Sequence, residues 1–167
     1  MKYSRPIDEI IAEIIPPNDR THREFFNNER LIDQLSENEK EAVESKLLSL
    51  FAKSGDALIA RTLAYMKSGA SVPVIREQLS NSVSPLKRLL FVSYMYYITS
   101  DRQMVDIAVD AYSKLNDIYE KTSGLYLLRT FRSPETDSII IENVKSPDNM
   151  ISYNAKQALA SDYRLAW

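Results

Sequence analysis

Side chains that could do chemistry are few and scattered in this sequence. Its 167 residues include no cysteine and a single histidine, His22. Thiol catalysis, zinc–thiolate centres and metal sites built on two histidines are therefore excluded. His22 lies in the stretch DRTHR, between Arg20 and Arg23, a setting typical of a solvated histidine. The sequence therefore predicts no catalytic histidine and no metal site.

Pairs of carboxylates one helical turn apart are the remaining candidates for acid–base chemistry. These pairs are Glu9 with Glu13, Glu37 with Glu41, and Asp106 with Asp110. Such pairs can share a proton or bind a hard cation, but on acidic helices they are mostly solvated. Lys114 follows Asp110 by four residues, which predicts a surface ion pair. We expect that the protein is not an enzyme and has no cofactor. One alternative is an enzyme that uses surface carboxylates.

The charge distribution favours a protein partner over nucleic acid. Residues 1–50 hold 7 basic and 11 acidic side chains (net −4), and residues 51–167 hold 14 and 12 (net +2). Neither part is basic enough to make nucleic acid the default partner. Charged residues interrupt the first apolar stretch, and no window of 18 apolar residues occurs, so we expect no secretion signal and no membrane contact. Together with the absence of cysteine, this predicts a cytoplasmic protein.

The number of glycines and the positions of the prolines predict an all-α protein. Only 3 glycines occur, fewer than strand-rich folds need for their turns. Serine precedes proline at 84–85, 133–134 and 146–147, which suits the N-cap and first position of a helix. Predicted helices cover 6–15, 20–34, 37–53, 55–67, 72–81, 85–99, 102–114, 117–131, 134–145 and 148–161. The β-branched run at 139–144 could form a strand, but its helical flanks favour a helix.

Sliding the chain against itself by 32 residues reveals a repeat of residue types. Two apolar columns carry the pattern: Val43, Ile75, Ile107 and Ile139, and Leu63, Met95, Leu127 and Leu159. The predicted units are helical hairpins at 38–68, 70–100, 102–132 and 134–163, after an N-terminal helical cap over 1–36. We expect them to form a single domain over 1–167; a helical bundle without repeats is the alternative.

The last unit carries a resemblance to a known family. Its stretch SPDNMISYNAKQALA resembles the second helix of a HEAT repeat, with Pro147-Asp148 at the start, Ala155 within, and Ala158-Leu159 near the end. The stretches SPLKRLLFVSYM and NDIYEKTSGLYL are similar to it. The chain thus resembles HEAT-like or armadillo-like helical repeat proteins.

This resemblance implies an α-solenoid of about four antiparallel helix pairs with two extra N-terminal helices. It also implies a concave surface lined by the second helices and a role in protein binding. Small HEAT-like proteins resemble some bacterial immunity proteins, which neutralise a toxin by covering it.

Helical periodicity extends this prediction to individual residues. In the second helices, residues opposite the main apolar arc mix tyrosines, basic groups and aliphatics. The predicted partner-binding residues are Arg61, Tyr65, Leu89, Val92, Tyr96, Tyr97, Lys121, Leu128, Arg129, Tyr153 and Lys156. Tyr and Arg are enriched where interfaces concentrate binding energy. Two alternatives stay open. In the first, helices 6–15 and 20–34 fold over this face and make it core. In the second, the basic side chains and tyrosines of this face bind nucleic acid.

Overall fold

The structure is a computed structural model of the chain, and it describes residues 5–23, 26–81, 84–162 and 165. All regular secondary structure in these residues is helical. The helices are α1 (Ile7–Ile14), α2 (Arg20–Arg23), α3 (Glu29–Asp33), α4 (Glu37–Ser54), α5 (Ala57–Tyr65), α6 (Ser71–Ser80), α7 (Pro85–Thr99), α8 (Gln103–Ser113), α9 (Ile118–Arg129), α10 (Pro134–Val144) and α11 (Asn149–Ala160). Within the described residues, no helix combines the length and apolar character needed to cross a membrane.

The all-α prediction is confirmed, including a helix rather than a strand at 139–144. The single helix predicted over 20–34 is wrong, because α2 ends at Arg23 and α3 begins at Glu29. Asn27 accepts a hydrogen bond from the Glu29 N–H at 2.8 Å through its side chain. Such a local bond competes with helical hydrogen bonding and favours a turn. The sequence also places Thr21 and Glu24 at the spacing of a capping box, but Glu24 lies outside the described residues.

Side chains cap most of the longer helices where the sequence predicts it. Ser36 and Glu39 form a capping box at the start of α4, and Ser84 and Ser133 cap α7 and α10. The predicted cap at Ser146 is wrong, because Asp148 accepts from the first N–H groups of α11. Aspartate and serine oxygens satisfy donors that have no partner within the helix, so these residues fix where each helix begins.

The chain divides into two compact units, Met1–Val74 and Ile75–Trp167. In the first unit, α4 packs against α1 and α5, and α1 packs against α3. The apolar residues of α4 that are fully buried lie four apart: Val43, Leu47 and Phe51. This spacing places them on one face of the helix. Ile10 and Ile14 of α1 are also buried.

In the second unit, α7, α9 and α11 pack side by side in that order, and α8 packs against α10. Connections of three or four residues join α7 to α8 and each later helix to the next. Because so short a connection between packed helices reverses the chain, α7, α9 and α11 run in one direction and α8 and α10 in the other. Tight packing marks this unit: a Cβ on Gly124 of α9 would lie 2.8 Å from Leu115 Cδ1.

Candidate protein-interaction surface

Four of the predicted partner-binding residues are buried. Leu89, Val92 and Leu128 are 0% exposed and Arg61 is 2% exposed. For Leu89 and Val92 the cause lies in α7, which buries these two residues and Ser93 as well as Phe91, Tyr94 and Met95, on both of its apolar arcs. A helix that is apolar all round is a core helix. The prediction that these four side chains lie on an exposed face is therefore wrong.

Part of the alternative, in which helices 6–15 and 20–34 fold over this face, is seen in the structure, because residues of α3 contact α5. Arg61 Nη2 donates to Glu29 Oε1 at 2.6 Å, and the Tyr65 hydroxyl donates to Asp33 Oδ1 at 2.9 Å. The sequence analysis predicts that Arg61 and Tyr65 bind another protein. Their partners in this structure are carboxylates of α3 in the same unit.

Tyr96, Tyr97, Lys121 and Arg129 are half-buried. The Tyr96 ring packs 4.8 Å from the Phe131 ring, measured between centroids, with the planes tilted by 38°. Arg129 Nη1 donates to Asp137 Oδ1 at 3.0 Å. Contacts within the second unit thus cover part of the Tyr96 and Arg129 side chains.

Tyr153 and Lys156 of α11 are exposed, as predicted. They lie three residues apart, on the same side of the helix, and Met150 lies one turn before Tyr153. Helix α9 contributes Tyr126, whose hydroxyl donates to Asn154 Oδ1 at 2.9 Å. Burial raises the pKa of Tyr126, and the neighbouring Tyr153 raises it further.

The structure adds three exposed apolar residues that the sequence analysis missed: Tyr119, Ile141 and Met150. Among the described residues, the large apolar side chains that are exposed are Tyr119 (66%), Tyr153 (61%), Ile141 (51%) and Met150 (40%). Tyr119 and Met150 each lie two residues after the capping aspartate of their helix, Asp117 and Asp148. This shared position, two residues after the cap, is the sequence signal that could have predicted that Tyr119 and Met150 are exposed. We call Tyr119, Tyr126, Met150, Tyr153 and Lys156 the α9/α11 surface.

The side chains considered for chemistry lie on the surface. His22 is exposed, and its Nδ1 lies 2.7 Å from Asp19 Oδ2. Hydrogen bonds from the His22 backbone and ring lower the pKa of Asp19. The predicted ion pair between Lys114 and Asp110 is confirmed, with 2.7 Å between Nζ and Oδ2. No group of three or more potential metal ligands occurs in the part of the chain that the structure describes.

Comparisons with known proteins gave no match: no protein-family model, no curated protein and no solved structure is similar to this chain at a significant level. The resemblance to HEAT-like repeats therefore stays a prediction. The α9/α11 surface is the candidate binding site of this chain.

Proposed function

We propose that this chain is a HEAT-like helical repeat protein that binds another protein and is not an enzyme. Local geometry that recurs along the chain supports the repeat. A residue with positive φ follows each of α5, α7 and α9: Lys67, Ser100 and Arg132, with φ of 56°, 56° and 46°. They are 33 and 32 residues apart, as the differences 100 − 67 and 132 − 100 give. A capping side chain also precedes each of these helices and α11.

Packing within the second unit also supports a repeat architecture. Helices α7, α9 and α11 are the second helices of the predicted repeats, and they pack against one another in chain order. Helices α8 and α10 are first helices, and they pack together with the opposite direction. Layers of first and second helices are what stacked helical hairpins produce.

One observation carries the proposal of protein binding. Three of the four large apolar side chains exposed in the described residues, Tyr119, Met150 and Tyr153, lie on second helices of the second unit. Helices α9 and α11 pack against each other, and apolar side chains exposed on adjacent helices are typical of a contact surface. Tyrosine and methionine are also enriched in protein interfaces, where they supply a large contact area.

The α9/α11 surface is suited to a partner with an apolar centre and an acidic rim. Helix α11 has no carboxylate from Asn149 to Ala160, and its one charge is that of Lys156. A bound partner would cover Tyr153 and place its own carboxylates near Lys156. Inhibition by steric cover, as in immunity proteins, is the specific role we propose for such a complex.

Affinity measurements on matched variants test the proposal. A protein captured by the wild-type chain and identified is titrated against Tyr153→Ala and Ile141→Ala. Both substitutions remove an exposed apolar side chain, but Ile141 lies on α10, in the layer of first helices. We expect Tyr153→Ala to weaken binding about 10-fold or more and Ile141→Ala to leave it nearly unchanged. Equal effects of the two substitutions would contradict the proposed surface.

Salt dependence separates this proposal from nucleic-acid binding. Binding that neutralises phosphates weakens steeply as salt is added, whereas binding through tyrosines and methionine changes little. We expect the affinity of the captured partner to fall less than about 10-fold between 50 and 200 mM salt; a fall of about 1,000-fold or more would point to nucleic acid.

A further inference from the structure

Residues 26–34, which contain α3, contact α5 through polar side chains; we call them the strap. Three strap residues take part. Asn28 Nδ2 donates to Thr62 Oγ1 at 2.7 Å, Glu29 accepts from Arg61, and Asp33 accepts from Tyr65. All these groups belong to the unit Met1–Val74.

The carboxylates of the strap match the donors of α5 in spacing. Glu29 and Asp33 are four residues apart, and so are Arg61 and Tyr65. Residues four apart lie one above the other on a helix. One carboxylate of the strap thus meets the Arg61 guanidinium while the next meets the Tyr65 hydroxyl, one turn further along both helices. The face of α5 recognises two carboxylates one helical turn apart.

The strap buries few apolar side chains. Of its three apolar residues, Ile32 is buried and Phe26 and Leu31 are half-buried. Asn28 is fully buried, yet its Oδ1 has no hydrogen-bond partner. An unsatisfied buried acceptor costs stability, and each polar contact contributes only a little net stability. Helix α3 has five residues, too few to be stable without tertiary contacts.

We propose that the strap detaches from α5 as a unit, and that the uncovered face of α5 binds an acidic helix of a partner protein. The partner helix carries two carboxylates one turn apart and replaces Glu29 and Asp33. The Arg61 guanidinium donates to Glu29 through Nη2, and an arginine can pair with a carboxylate through two nitrogens, whereas a lysine offers a single charged nitrogen. The strap then acts as an internal competitor for this site. The site shares no residue with the α9/α11 surface and does not depend on the function proposed above.

Hydrogen exchange on the full-length chain tests detachment. The backbone amides of Leu31 and Ile32 donate to the Asn28 carbonyl within the strap, and the amides of Val43 and Leu47 lie in the core helix α4. Segments that open locally exchange faster than the core. We expect the strap amides to exchange at least about 10-fold faster than those of α4, and about 10-fold faster again in the double variant Glu29→Gln, Asp33→Asn. Equal exchange rates in α3 and α4 would show that the strap opens only by global unfolding, which overturns the proposal.

A peptide added in trans tests the binding site. Its sequence, FNNERLIDQL, copies residues 26–35, and it is titrated into the full-length double variant while the amide chemical shifts of α5 are followed. The control peptide carries glutamine and asparagine in place of the two carboxylates. We expect the acidic peptide to bind at least about 10-fold more tightly than the control. If neither peptide binds, or both bind equally, the site is not an acidic-helix receptor.

A second variant guards against a failure to fold. Tyr65→Phe in the same double-variant background removes one hydroxyl and keeps the ring, and circular dichroism verifies that its helix content is unchanged. We expect it to weaken binding of the acidic peptide about 5- to 10-fold, because one hydrogen bond to a carboxylate is lost. An unchanged affinity would mean that the peptide binds elsewhere.

Discussion

Tyr112 and Gly124 approach so closely that no side chain fits between them: a Cβ on Gly124 would lie 2.9 Å from Cδ2 and Cε2 of the Tyr112 ring. Leu115 Cδ1 would lie at 2.8 Å from the same Cβ. Both helices involved, α8 and α9, belong to the second unit. Glycine is therefore required here for close packing rather than for an unusual backbone conformation.

This contact predicts that Gly124→Ala destabilises the protein. Alanine gains about 1 kcal/mol in helix propensity, but overpacking costs about 1–3 kcal/mol. We expect the free energy of unfolding in urea to fall by about 1 kcal/mol. Gly69→Ala is the matched control, because a Cβ there has no atom within 4 Å, and it should cause no loss. A loss of equal size in both variants would contradict the packing account.

Tyr112 predicts a change of stability at alkaline pH. Burial raises the pKa of Tyr112 to about 12 from its usual 10.0, and its hydroxyl is buried without a hydrogen-bond partner. Between these two pH values the native state keeps a proton that the unfolded state has lost. The free energy of unfolding therefore falls as pH rises through this window, and the contribution is complete below pH 10.

The variant Tyr112→Phe isolates this effect. It removes the buried hydroxyl, so we expect a free energy of unfolding about 1 kcal/mol higher near neutral pH. Above pH 10 its stability should decline less steeply than that of the wild type. Tyr119→Phe, at an exposed tyrosine, serves as the control for loss of a hydroxyl. Parallel stability curves for Tyr112→Phe and the wild type would refute the assignment.

Arg23 and Asp56 form a partly buried ion pair with two hydrogen bonds, Nη1 to Oδ1 at 2.7 Å and Nη2 to Oδ2 at 2.8 Å. Arg23 also donates to the carbonyls of Pro16 and Pro17. Lysine cannot satisfy this set of acceptors. We expect Arg23→Lys to lower the free energy of unfolding by about 1–3 kcal/mol. Arg5→Lys changes an exposed pair with Glu13 and should cost less than about 0.5 kcal/mol.

The pair of Arg23 and Asp56 also predicts that the free energy of unfolding depends on pH in the acidic range. Burial acts to raise the pKa of Asp56, but hydrogen bonds from Arg23 and from the Leu58 N–H outweigh it and lower the pKa below 3.8. The stabilisation is therefore present above pH 3.8 and is lost as pH falls through the lower native value. The difference in stability between wild type and Arg23→Lys should shrink in this range. A constant difference would contradict the pairing.

Ser100 predicts a stabilising substitution. It ends α7 with φ of 56° and ψ of 24°, a left-handed conformation that glycine adopts without steric cost. We expect Ser100→Gly to raise the melting temperature, through a gain of about 0.5–1 kcal/mol. The reverse change, Gly55→Ala, at φ of 58°, should lower stability by about 1 kcal/mol. The two substitutions should change stability in opposite directions. A loss of stability in both variants would argue against the left-handed cap at Ser100.

The sequence predicted local features well. Helix α7 begins and ends where Ser84-Pro85 and the following apolar run indicate, because a cap and a proline act on the adjacent backbone. The long helices follow for the same reason. The turn before α3 was missed because Asn27 and Asn28 interrupt an otherwise helical stretch through side-chain bonds that periodicity does not reveal.

The surface was harder to predict than the helices. Leu89 and Tyr153 occupy equivalent positions in the repeat alignment, yet one is 0% and the other 61% exposed. Exposure depends on which other elements pack around a helix, and those lie far away in the sequence. The contact of Asp33 with Tyr65 likewise joins residues 32 positions apart. Helical periodicity places a side chain on a face but does not say what covers that face.

The most direct test of the central claim is site-specific photo-crosslinking on the α9/α11 surface. The photoreactive residue benzoylphenylalanine replaces Tyr153 in one full-length variant and Ile141 in another, and each is irradiated with the captured partner. We predict a crosslinked complex of the two proteins from position 153 and little or none from position 141, with fragments identified by mass spectrometry. Crosslinking from position 141 with none from position 153 would contradict the claim that this protein binds its partner through the α9/α11 surface.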